Sequence, residues 1–109
     1  MNKSKTILNA LIDGAKLLGL RQADIKNANG LLEYGEYYLC FDTVITQLYE
    51  YDIKIDEQFY LLVTKSAVVL KINENEFLYL KELISNDQIP KSVRAELTKI
   101  IGRQKDDSY

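Results

Sequence analysis

The stretch YGEYYLCFDTVITQLYEYD, residues 34–52, holds five of the chain's eight tyrosines and four of its sixteen acids, with no lysine, arginine or histidine. Phenol rings bury an apolar body while keeping a polar tip, and carboxylates attract cations, so the chemistry on offer is recognition of a basic surface. Equipment for catalysis is thin. The chain has no histidine, which removes the commonest general base and the commonest metal ligand. Its single cysteine, Cys40, falls on the apolar side of its helix and reads as a structural thiol. Five scattered glycines build no phosphate-binding loop. Of the carboxylate pairs, Glu33 and Glu36 are interrupted by Gly35, while Glu74 and Glu76 point to different sides of a helix. Neither pair has a neighbour that would split its two pKa values. The expectation is a protein with no catalytic residue, no metal and no cofactor.

Apolar residues recur at helical spacing along nearly the whole chain. Ile7, Leu8, Leu11, Ile12, Ala15 and Leu18 form one stripe, with Ser4 as its predicted N-cap and Gly19 as its stop. Ile25, Ala28, Leu31 and Leu32 mark a second helix, and Tyr37 through Leu48 a third running from about Glu36 to Tyr51. Asp56 caps a fourth through Phe59, Tyr60, Leu62 and Val63. The β-branched run that follows reads as the end of that helix, because a lone strand would have no partner. Asn73 opens a fifth helix through Phe77, Leu80, Leu83 and Ile84, and Lys91 or Ser92 a sixth that Gly102 ends. These elements predict an all-α fold, a compact single-domain bundle of five or six short helices over residues 1–102. A polar tail, 103–109, completes the chain.

Charge is unevenly spread. Residues 31–57 carry seven acids (Glu33, Glu36, Asp42, Glu50, Asp52, Asp56 and Glu57) against Lys54 alone, whereas the flanks are net basic and the whole chain stands at −2. On a wheel of residues 36–51, Tyr37, Phe41, Val44, Ile45 and Leu48 turn to the core and Glu36, Asp42, Thr46, Gln47 and Glu50 turn away. Tyr38 and Tyr49 lie at the border, and Leu39 falls in the middle of the polar side. The candidate partner-binding residues are therefore Glu36, Asp42, Glu50, Asp52, Asp56 and Glu57 as charges and Tyr38, Leu39, Tyr49 and Tyr51 as anchors. Tyr34 and Tyr37 read as core or border packing.

One domain is all that 109 residues allow. A lone cysteine fits a reducing compartment. Asn9, Asp13 and Lys16 interrupt the N-terminal apolar run, so no signal peptide is recognisable, and nothing approaches a membrane span. The expectation is a cytoplasmic protein with no membrane partner. LLGLRQADIKNANGLL, residues 17–32, has the look of a helix-turn-helix opening, the basis of an alternative as a DNA-binding regulator. The acidic LLEYGEYYLCFD that follows would repel phosphates, so no nucleic-acid partner is expected. A helical adaptor without enzymatic activity is the other alternative.

The block LEYGEYYLCFDTVITQLYEYDIKIDEQFYLLV, residues 32–63, resembles the central part of MafI-type immunity proteins of bacterial polymorphic-toxin and contact-dependent inhibition systems. The matching positions are Gly35-Glu36-Tyr37, Cys40-Phe41-Asp42 and Gln47-Leu48-Tyr49-Glu50-Tyr51-Asp52, then Ile53, Ile55 and Asp56 through Tyr60. The resemblance covers about a third of the chain. It implies a small cytoplasmic inhibitor of a cognate toxin domain, commonly a nuclease, with a ribonuclease favoured. A nuclease holds phosphates in a basic cleft, which an acidic, tyrosine-bearing surface could cover.

Overall fold

Asn2, two residues ahead of the predicted cap, starts the first helix: its side-chain oxygen accepts from the Lys5 backbone N–H at 3.0 Å. A computed structural model describes residues 2–104, and the chain is all-α. Helix α1 spans Lys3–Leu18, α2 Gln22–Glu33, α3 Tyr37–Glu50, α4 Glu57–Leu70 and α5 Lys91–Gln104. Three 3-10 turns, Glu74–Glu76, Leu78–Leu83 and Asn86–Gln88, fill the connection between α4 and α5. The Cα radius of gyration is 12.7 Å, near the ~13 Å of a packed domain of about 100 residues.

Four helices stop in the same way. At Gly19, Gly35, Asp52 and Lys71 the backbone turns left-handed, with φ of 111°, 75°, 51° and 59°. In each case the next N–H reaches back five residues to a helix carbonyl, as from Leu20 to Ala15 and from Glu36 to Leu31. The glycines bear this conformation without a Cβ penalty, whereas Asp52 and Lys71 adopt it against their preference. Gly19 is thus the stop its position predicts. Gly102 is not a stop, because α5 runs on to Gln104. Arg103 and Gln104 therefore belong to the helix and not to a tail, and residues 105–109 lie outside the described part.

The core joins all five helices, with Leu8, Leu11, Val44, Leu48, Phe59, Leu62, Phe77 and Leu97 among its buried members. Helix α1 crosses the others closely enough that a Cβ on Gly14 would lie 2.9 Å from Phe59 Cε1. The predicted ending of α4 is observed, its helix continuing through the β-branched run to Leu70.

The segment after Asn73 departs from the expected α-helix. Its bonds close three residues back: Glu76 N–H to the Asn73 carbonyl, Phe77 to Glu74, Leu80 to Phe77 and Ile84 to Lys81. The residue spacing explains this. Phe77, Leu80 and Leu83 are three apart, and all are buried. A 3-10 helix has three residues per turn and stacks such positions on one face, whereas an α-helix would rotate them progressively off the core. Two backbone bonds and one side-chain bond then tie the segment's end to the loop before α4. Ile55 donates to the Leu83 carbonyl at 3.0 Å, Ser85 donates to the Ile55 carbonyl at 2.9 Å, and Asn86 Oδ1 accepts from the Glu57 N–H at 3.0 Å.

Candidate partner-binding interface

Helix α3 is held by its apolar stripe: Cys40, Phe41, Val44, Ile45 and Leu48 are buried. The Cys40 thiol has its pKa pushed up to about 11 by burial, which keeps it protonated and unreactive near neutrality. With that side committed, Tyr38, Leu39, Asp42, Thr46, Tyr49 and Glu50 face solvent. Leu39 is 46% exposed among them. Asp42 and Glu50, eight residues apart, stand about 12 Å from one another along the axis.

The 3-10 segment closes one flank of this face. Just as Phe77, Leu80 and Leu83 share the core side, Glu76, Tyr79 and Glu82 share the side turned to α3. The Tyr38 hydroxyl donates to Glu76 Oε1 at 2.6 Å, and the Tyr49 hydroxyl donates to Glu82 Oε1 at 3.1 Å. Between them the Tyr49 and Tyr79 rings meet edge to face, centroids 4.7 Å apart. Hydrogen bonding to Glu76 raises the Tyr38 pKa above the ordinary phenol value, and hydrogen bonding to Glu82 does the same for Tyr49, since ionisation would set an anion against a carboxylate. Lys81 lies on a third side of the segment, 5.7 Å over the Tyr60 ring of α4. Two tyrosines thus hold two carboxylates in place, extending the acidic face of α3 onto a second element.

The opposite flank meets α2. Arg21 lies 3.9 Å over the Tyr51 ring. Buried Asp24 accepts from Arg21 Nε at 3.1 Å and from Gln47 Nε2 at 2.9 Å, cross-linking α2 to α3. Tyr51 is exposed but carries this cation on its face. Asp52 is exposed and paired with Lys54 at 3.0 Å. Glu36 stands at the start of α3, lining a shallow groove with Lys26, Leu31 and Tyr34.

Two expectations need correction. Asp56 is 0% exposed and presents nothing to a partner. It is the cap of α4, as its position predicts, accepting from the Phe59 N–H at 2.8 Å and from Gln58 Nε2 at 3.1 Å, with Arg94 Nε 3.9 Å away. The cap geometry turns the carboxylate inward, over its own helix end. Tyr34, expected to pack in the core or at its border, is 87% exposed, because it sits at the C-terminus of α2 where the chain turns toward Gly35. Tyr37 is half-buried against the core, its hydroxyl accepting from Asn2 Nδ2 at 2.6 Å. Glu57 is exposed, but it opens α4 and is not on the α3 face. The face therefore gathers Tyr38, Leu39, Asp42, Tyr49 and Glu50 from the predicted set, and adds Glu76, Tyr79 and Glu82. Those three were legible only through the threefold spacing they share with Phe77, Leu80 and Leu83, which an α-helical reading discards.

Fold and site together define a class: an all-α domain with a tyrosine-braced acidic face. Among the described residues there is no group of three or more histidine, cysteine, aspartate or glutamate side chains able to hold a metal ion, and no helix long and apolar enough to cross a membrane. Comparison with protein-family models, curated proteins and solved structures returns no match.

Proposed function

We propose that this protein is an immunity protein of the MafI type, a cytoplasmic inhibitor that binds a cognate toxin domain and blocks its basic substrate cleft. The observation that carries the reading is the composition of the α3 face. Leu39 and two tyrosines stand among Asp42 and Glu50, with Glu76 and Glu82 held alongside by the tyrosine hydroxyls. An apolar centre ringed by oriented charge suits a tight stoichiometric complex, because the ring steers encounter and the centre slows release. Carboxylates held by neighbours also lose less freedom on binding. A nuclease cleft, built to hold phosphates, is a cationic counterpart to this face, and a ribonuclease is the favoured target. Nothing in such a mechanism requires turnover by the inhibitor.

The test pairs the protein with a toxin domain encoded beside its gene. Calorimetry should give a one-to-one complex, nuclease activity should fall in proportion, and Leu39→Asp should weaken binding by at least about 100-fold, the scale of a central anchor. A complex unaffected by both Leu39→Asp and Asp42→Lys would remove this face from the mechanism. Binding to duplex DNA at modest salt in a gel-shift experiment would instead favour a regulator.

A further inference from the structure

A second surface shares no residue with the acidic face. The start of α1 and the C-terminal half of α4 enclose a groove of about 320 Å³, within the size range of small-molecule sites. Its walls are Ile7, Val68 and Val69, and Gln104 joins them from the end of α5. Thr64 also lines it, but its hydroxyl donates to the Tyr60 carbonyl of its own helix at 3.1 Å. Val68 is 73% exposed, so an apolar occupant would remove from water a surface that the fold leaves wet.

Among the described residues, the charges lining this groove have one sign. Lys3 and Lys65 are the only charged side chains among the described residues lining it, on a chain whose net charge is −2. A lysine can lay its stem along an apolar wall and keep its ammonium at the rim. We propose that the groove binds a medium-chain carboxylate, its acyl chain against Ile7, Val68 and Val69 and its head group between the Lys3 and Lys65 ammonium groups. Charge complementarity selects the anion, since a cationic head would meet two like charges. Extent selects a small molecule, because the lining takes in only one or two turns of each helix. A stable protein interface needs roughly 800 Å² per partner.

The full chain, labelled with ¹⁵N, would be titrated with decanoate below its micelle concentration, with decyltrimethylammonium as the opposite-charge control. Saturable shifts confined to Lys3, Ile7 and residues 64–69 are expected, with the cation bound far more weakly. The double variant Lys3→Gln/Lys65→Gln changes two exposed side chains and should keep the far-ultraviolet spectrum while weakening decanoate about tenfold, the sum of two surface ion pairs. Equal binding of the two amphiphiles, shifts centred elsewhere, or a double variant that binds as before would overturn the proposal. So would a concentration-dependent dimer whose contact residues are Val68 and Ile7, which would assign the groove to a second copy of the chain.

Discussion

Asp42 and Asp56 are both acids in the same charged block, yet they do opposite work. Asp42 faces solvent on α3, whereas Asp56 is buried and satisfies the first turn of α4. Asp56→Ala should therefore cost about 1–2 kcal/mol of stability by urea denaturation, the range of a lost helix cap. Asp42→Ala should stay within about 0.5 kcal/mol of the parent, as exposed substitutions do, while weakening partner binding. Tyr60 presents the reverse situation. Its hydroxyl is buried with no hydrogen-bond partner among the described residues, and burial raises its pKa. Tyr60→Phe removes a polar atom that folding has taken from water, so stability should be unchanged or higher by up to about 1 kcal/mol in the same assay.

Between the elements, two contacts carry measurable consequences. The first is the crossing of α1 over α4. Alanine is the better helix former by about 1 kcal/mol, yet Gly14→Ala should destabilise. The new Cβ would press on the fully buried Phe59 ring at 2.9 Å and on Leu97 Cδ2 at 3.3 Å, and overpacking costs about 1–3 kcal/mol. A higher melting temperature for this variant would refute the close approach. The second contact is the pair of tyrosine–glutamate bonds between α3 and the 3-10 segment. Tyr38→Phe/Tyr49→Phe should leave α3 intact and speed amide exchange in residues 76–83 by about severalfold, since a local opening then breaks fewer bonds. The same bonds have a pH signature. Both phenols have folded-state pKa values above their unfolded ones, so their contribution is complete below the ordinary phenol pKa of about 10 and is lost as pH rises through the folded values. Tyrosinate absorbance should show late-titrating steps, two of which vanish in the double variant.

For the molecule as a whole, the uneven charge matters more than the total. Asp42→Lys/Glu50→Lys moves the outer face of α3 from acidic to basic without touching the core. Its helicity should match the parent, and its association rate with a basic partner should fall about 10-fold or more at low salt, with the difference shrinking as salt rises. Rates that ignore both the reversal and the salt would separate the acidic block from recognition. The groove beside Lys3 and Lys65 lies in the basic part of the chain and should be indifferent to this reversal.

Much of the architecture could be read from residue order alone. The heptad-like stripes of α1, α3 and α4, the stop at Gly19 and the cap at Asp56 are local matters, settled by side-chain period and by backbone geometry within one turn. The outward position of Leu39 follows from the same period. What lay beyond reach depended on which neighbours the folded chain supplies. Asp56 could be recognised as a cap, but its complete burial needed α5 and Arg94 to close over it. Tyr34 looked apolar enough for the core and found no element to cover it. Residues 74–83 looked α-helical because their spacing was judged without the surface they pack on. Once Phe77, Leu80 and Leu83 bind the core in register, the backbone tightens to three residues per turn, and Glu76, Tyr79 and Glu82 are carried to the side of α3. Periodicity specifies which side of an element is apolar, whereas the meeting of two elements, and hence the braced acidic face, is a property of the packed chain.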